Sequence, residues 1–172
     1  MEIPKIVRPF GTISGITEQP TGLDFGLSDA FVKSFQVGIA SGASTINAVD
    51  TTKTFVRLSS IGATNLSTSP YIVLTNSTTV TVTNTGGNLR WEVVELKKVK
   101  SLQSGTASGG PVLYISITPV TNQSKCSIFF SYGGSSGTTG YITSVNFSGT
   151  NYIAIMHSSS TFTAYWFLVE WE

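Results

Sequence analysis

Residues 32–42 read VKSFQVGIASG and residues 99–109 read VKSLQSGTASG, so eight of eleven positions are identical at an offset of 67. The match continues. Each copy carries a strand-like segment after a lysine, KTFVRLSS from Lys53 and KCSIFFSY from Lys125. Each then has a segment after a Ser/Thr-rich stretch, STSPYI from Ser67 and GTTGYI from Gly137. The copies close on WEVVEL at Trp91–Leu96 and WFLVEW at Trp166–Trp171. The offset grows from 67 to 75, which places about eight inserted residues in the loops of the second copy, where insertions are tolerated. The chain therefore reads as a tandem duplication: an extended N-terminal arm (1–31), a first repeat (32–98) and a second repeat (99–172). Units of this size bury only about 60% of their unfolded surface and are marginal alone. The short junction LKKVK should hold them close together.

Each unit reads as all-β. STTVTVTN at 77–84 alternates strictly, and NYIAIMHS at 151–158 repeats the pattern, the period of a half-buried strand. Strands are expected at 34–41, 44–49, 54–61, 71–75, 78–84 and 88–96, and again at 101–107, 112–118, 124–132, 140–147, 151–157 and 162–171. Short strands at this spacing indicate an antiparallel sandwich or barrel-like domain of six or seven strands. The paired Gly38 and Gly105 are expected to mark a bulge or turn in the first strand. The second copy lacks the Asp-Thr-Thr turn that follows Val49. SDAFVKS could form one helical turn. The arm contains Pro4, Pro9 and Pro20 and scattered apolar residues without a core of its own, and should dock elsewhere.

Charge is scarce. Asp, Glu, Lys and Arg make up 11% of residues, against about 25% in an average domain, while Ser and Thr number 48. Net charge is +1. This gives no basic face for phosphates and argues against nucleic acid. Lys97, Lys98 and Lys100 form one basic cluster, read as a solvated linker. From Ser101 onward the only charged residues are Lys125, Glu170 and Glu172. A free edge strand usually carries charge against self-association, so a surface this neutral fits an oligomer whose neighbours cover it. No apolar run reaches the roughly 18 residues of a membrane span, and the N-terminus lacks the apolar core of a secretory signal.

The residues of catalysis are few. His157 reads as a surface or turn histidine, with no nucleophile elbow nearby. Cys126, the single cysteine, reads as a buried inert thiol in a strand. One His and one Cys do not make a transition-metal site, and no cofactor motif occurs. Glycoside hydrolysis needs two acids at a set separation. The repeats offer Asp50, Glu92, Glu95, Glu170 and Glu172. Glu92 and Glu95 fall on opposite faces of one strand. Glu95 and Glu170 are repeat equivalents, which points to a role in the fold. Tyr132, Tyr141, Tyr152, Tyr165 and Trp166 in the second unit could stack on sugars, although rings also dominate small cores. Trp91 and Trp166 match across the repeats and Trp171 stands where the first unit has Leu96, so these are expected to pack inside. The Gly-rich loop 131–141 reads as a hairpin loop or a contact loop. Asn65, Asn76, Asn122 and Asn146 head Asn-x-Ser/Thr triplets that such a composition produces by chance.

The unit formed by Lys33, Ser34, Gln36 and Gly38 with Trp91, Val94 and Glu95, repeated as Lys100, Ser101, Gln103 and Gly105 with Trp166, Val169 and Glu170, resembles small β-domains of virion proteins from tailed bacteriophages. The resemblance covers residues 32–172 and leaves the arm unmatched. It implies a non-enzymatic virion protein assembled in the bacterial host cytoplasm. The first expectation is a capsid decoration or cement protein, a homotrimer whose arm reaches the major capsid protein. The alternative is a tail-fibre, baseplate or receptor-binding module that contacts host glycans.

Overall fold

The computed structural model describes residues 31–60, 70–83, 87–134, 142–158 and 162–172. The arm expected at 1–31 lies outside them except for Phe31, as do residues 28–30 of SDAFVKS, most of the Gly-rich loop and Tyr141. The rest of SDAFVKS corrects the helical-turn expectation, since residues 32–34 are strand. Among the described residues twelve strands follow in order: β1 (Val32–Ala40), β2 (Ala43–Thr45), β3 (Thr54–Ser60), β4 (Tyr71–Asn76), β5 (Thr79–Thr83), β6 (Leu89–Leu96), β7 (Ser101–Gly109), β8 (Val112–Ser116), β9 (Cys126–Gly134), β10 (Ile142–Phe147), β11 (Tyr152–His157) and β12 (Phe162–Glu170). A 3-10 turn at Gln123–Lys125 precedes β9. The all-β expectation holds. The strands form four three-stranded antiparallel sheets, ordered β1-β6-β3 and β2-β5-β4, then β7-β12-β9 and β8-β11-β10. The second pair repeats the order of the first, strand for strand.

In each half the two sheets close on one core, because alternate side chains of every strand point the same way. Val56, Ile72, Val80, Val82, Leu89, Trp91 and Val93 fill the first core. Leu113, Ile115, Ile153, Ile155, Phe162, Trp166 and Leu168 fill the second. The strand expected at 44–49 stops at Thr45, and the one expected at 112–118 stops at Ser116. Beyond those points the backbone bonds to the neighbouring turn instead of a strand. Ile46 and Val49 donate to Thr78 and Ser77, and Ile117 and Val120 donate to Asn151 and Thr150, at 2.9–3.0 Å. These four apolar residues remain buried, so they close the end of each core from a non-strand segment.

A third cluster joins the halves. Phe55, Val94, Leu96 and Val169 are buried there, flanked by Phe35, Leu102, Phe129, Phe167 and Trp171. Phe55 stacks on Phe129 at 4.1 Å and Tyr71 stacks on Tyr165 at 4.0 Å, both nearly parallel. Trp171 lies at this junction and its indole N–H donates to Ser127 Oγ at 3.0 Å.

The glycine expectation is corrected. Gly38 pairs with Trp91 and Gly105 with Trp166 in uninterrupted register. The irregularity in β1 lies between Val32 and Ser34. The glycines are there because the indole of the facing tryptophan lies over each of them. A Cβ at Gly105 would stand 2.9 Å from Trp166 Cζ2, and one at Gly38 would overlap the Trp91 ring more deeply.

Candidate functional site

The repeated motif builds the same polar network in each unit. Glu95 is 2% exposed and Glu170 is 4% exposed; they are the next-to-last residue of β6 and the last of β12. Glu95 Oε1 accepts from Lys33 Nζ at 2.8 Å and from the Asp50 N–H at 3.0 Å, and Oε2 accepts from Ser34 Oγ at 3.0 Å. Glu170 Oε1 accepts from the Thr121 N–H at 2.9 Å, Thr121 Oγ1 at 2.6 Å and Lys100 Nζ at 3.2 Å, and Oε2 accepts from Ser101 Oγ at 3.3 Å. Lys100 also contacts Thr121 Oγ1. Lys100 is therefore the counterpart of Lys33 and belongs to the network, a correction to its reading as part of a solvated linker.

These donors set the acidity of the carboxylates. For Glu170 the Thr121 hydroxyl is the largest influence; burial opposes it, and the Thr121 N–H and Lys100 add to it, bringing the carboxyl down to about 2. For Glu95 burial pushes upward most strongly, yet Lys33, the Asp50 N–H and Ser34 together outweigh it and hold the carboxyl below its ordinary value. Such groups stay ionised and accept hydrogen bonds. They are poor proton donors at neutral pH.

The glutamines of the motif act on the loops. Gln36 donates from Nε2 to Asn47 O at 3.1 Å and accepts from the Asn47 N–H at 2.7 Å. Gln103 makes the same pair of bonds with Thr118, at 2.9 and 2.7 Å. Each side-chain amide thus bonds the loop backbone as a neighbouring strand would. Replacing Gln103 by Ala leaves the Thr118 N–H and C=O to water and should cost about 1–2 kcal/mol. Chemical denaturation checks this, and Gln36→Ala should behave alike.

The turn described as missing from the second copy is present in other letters. Asp50 Oδ1 accepts from Thr52 N–H and Oγ1 at 2.9 and 2.6 Å. Asn122 Oδ1 accepts from Ser124 N–H and Oγ at 3.0 and 2.7 Å. Both are side-chain-closed turns of the kind Asp and Asn favour. Thr54 Oγ1 then donates to Asp50 O at 2.7 Å, and Cys126 Sγ donates to Asn122 O at 3.3 Å. Cys126 thus takes the place of a threonine. It is half-buried, and burial raises its thiol above the usual range. Asn76 closes a similar turn onto Thr78.

The other sequence candidates scatter. His157 is not on the surface. It is 6% exposed at the end of β11, with its ring stacked 4.6 Å from Phe162. Glu92 does face away from Glu95. It pairs with Arg57 Nε at 2.6 Å, and the matching positions of the second unit are Phe167 and Phe129. Trp91 and Trp166 are core residues as expected. Tyr165 is held between the units, where burial and then Tyr71 push its phenol up to about 12. Val73, Leu74, Ser104, Thr106 and Phe167 line a cleft of about 390 Å³ beside it. Of the expected sugar-stacking rings, Tyr152 is exposed, and the side chain of Tyr132 is outside the described set.

A surface that the sequence reading passed over lies on the sheet β8-β11-β10. Val112, Tyr114, Tyr152 and Met156 are 40, 66, 40 and 38% exposed. Register places them together: Val112 faces Met156, Tyr114 faces Ala154 and Ser116 faces Tyr152. The three strands contain no Asp, Glu, Lys or Arg. The signal was available in VLYISI, where burying Leu113, Ile115 and Ile117 turns Val112 and Tyr114 outward. No family model, curated protein or solved structure matches the chain.

Proposed function

We propose that the chain is a non-enzymatic virion structural protein that works as an oligomer in a larger particle, in the first instance a capsid decoration protein. The observation that carries this reading is the charge-free outer face of β8-β11-β10, with four large apolar side chains in solvent. Protein interfaces favour Tyr and Met and are poor in Lys, Glu and Asp. The acids at the repeated positions support the same reading, since each is taken up by donors of its own unit. In this role the arm at 1–31 provides attachment to capsid subunits.

The test is the mass of the purified protein by light scattering, with co-sedimentation on purified capsids. A stable oligomer that pellets with capsids, and stops pelleting when 1–31 is deleted, is the expected result. Deletion without effect on pelleting would remove the arm from the proposal, and a monomer that ignores capsids would end it.

A second reading has its own observation. Tyr114 and Tyr152 stand exposed beside Ser116 and Asn146, a ring-and-hydroxyl surface that suits a neutral glycan. Glycan-array binding lost on Tyr114→Ala would favour this role.

A further inference from the structure

We infer that β8 is a self-association strand: two copies of the chain pair antiparallel along β8 about a two-fold axis, joining their β8-β11-β10 sheets into one of six strands. This deepens the reading of the chain as an oligomeric assembly protein and rests on it.

The duplication supplies its own control. In the first unit the equivalent edge strand, β2, has three residues, whereas β8 has five. Short edge strands are one way that proteins blunt self-pairing. The outer face beside β2 carries Ala43, Thr45, Thr79, Thr81 and Thr83. The same face beside β8 carries Val112, Tyr114, Ser116, Tyr152, Ala154 and Met156. The fold is built equally well with threonines there, so its stability does not call for the exposed apolar set.

Three observations select a second copy as the occupant. First, the first unit shows how this side of the fold is covered: Tyr71 of β4, on the outer face of the equivalent sheet, stacks on Tyr165 of the other unit, and Val73 lines the cleft beside it. The precedent within the chain is a unit of the same fold. Second, a face and an edge without charge meet their own copies with no like-charge repulsion. Third, area rules out simple stacking of the two faces. Three strands about 4.8 Å apart, with five residues at roughly 3.3 Å each, present only about 250 Å² in projection. A standard interface takes about 800 Å² from each partner. Face-to-face stacking is too small for a dimer, so the pairing is carried by main-chain hydrogen bonds along β8 with cross-strand contacts of Val112, Tyr114 and Ser116, and it leaves Tyr152 and Met156 on the joined outer face. β8 is the terminal strand of its sheet, so its outer edge is available for that pairing. With the axis at Tyr114, Tyr114 faces its copy and Val112 faces Ser116.

The test compares wild type with Tyr114→Lys, whose side chain is largely in solvent, so the fold should persist by circular dichroism. Light scattering across a dilution series should show wild type rising toward the mass of two chains and Tyr114→Lys staying at one. In a Cys126→Thr background, Tyr114→Cys should oxidise to a covalent dimer, because directly facing strand residues meet disulfide geometry. A wild-type mass of one chain up to about 1 mM overturns the proposal, as does an oligomer that Tyr114→Lys leaves intact. The second result leaves the assembly reading standing if the protein still pellets with capsids, whereas the first removes the oligomer from that reading and leaves only capsid attachment. Failure to pellet with β8 pairing intact removes the capsid role alone.

Discussion

Valine at position 38 should destabilise the protein by about 3–5 kcal/mol, the scale of losing a buried tryptophan's packing. The Trp91 ring covers Gly38 at a distance that leaves no room for a Cβ. The ring is 5% exposed among Val56, Ile72, Val80 and Val93, and a close-packed interior lets it move little. The substitution therefore either expels the indole from its slot or bends β1 away from β6. Gly105 is less severe. A Cβ there meets Trp166 at 2.9–3.3 Å, so Gly105→Ala is expected to cost about 1–2 kcal/mol through a small shift of the ring. Gly38→Ala should cost more than Gly105→Ala. Gly42 is the control, since a Cβ there meets nothing within 4 Å, and Gly42→Ala should be neutral within about 0.5 kcal/mol. Urea midpoints followed by tryptophan emission measure all four. Gly38→Ala with wild-type stability and emission would show that the indole does not need the glycine.

The contrast between these glycines marks the limit of sequence reading here. The duplication and the alternation at 77–84 and 151–158 were legible because both are local patterns. Burying one face of STTVTVTN leaves little choice about the rest. What Gly38 does was not legible, because a glycine in a strand reads equally as a bulge or as room for a neighbour. Only the register that sets Gly38 against Trp91, 53 positions later, decides between them. The identical partner positions in the second copy, Gly105 and Trp166, were the available hint.

The second hidden feature was chemical equivalence without identity. Asp50 and Asn122 close the same turn, and Thr54 and Cys126 donate to the same carbonyl, yet comparison by letter records a missing turn. His157 was misplaced for a related reason. A histidine before SSS looks like the start of a loop, but period two from Ile153 and Ile155 puts residue 157 on the buried face. Following that alternation one residue further would have found it. The exposed set on β8 and β11 needed both strands at once, since Tyr114 and Tyr152 become neighbours only through register.

Removing the Glu170 carboxylate should be the most damaging polar change, about 2 kcal/mol for Glu170→Ala. It takes the acceptor from the Thr121 N–H and from the Thr121 and Ser101 hydroxyls; Thr121 is exposed and Ser101 half-buried, so water replaces part of what is lost, and each bond is worth about 0.5–1.5 kcal/mol net. Lys100 contributes less, because its side chain is 44% exposed and can return to water. Glu170→Gln should cost about half as much, since the amide oxygen can still accept from Thr121 while the NH₂ group turns to Ser101. The two variants also differ in acid. The folded-state carboxyl of Glu170 lies at about 2 against an ordinary 4.5, and that of Glu95 is lowered as well. A depressed folded value means the folded state binds fewer protons than the unfolded chain in this window. The stabilisation from these carboxylates is complete above about pH 4.5 and is lost as pH falls toward 2. Unfolding midpoints from pH 7 to 2 should therefore fall steeply for wild type and less steeply for Glu170→Gln, with Glu95→Gln flattening the limb further in the double variant. If the wild type and the double variant lose stability in parallel through that window, the two carboxylates are not what acid titrates, and the repeated Lys-Ser-Glu network contributes packing alone.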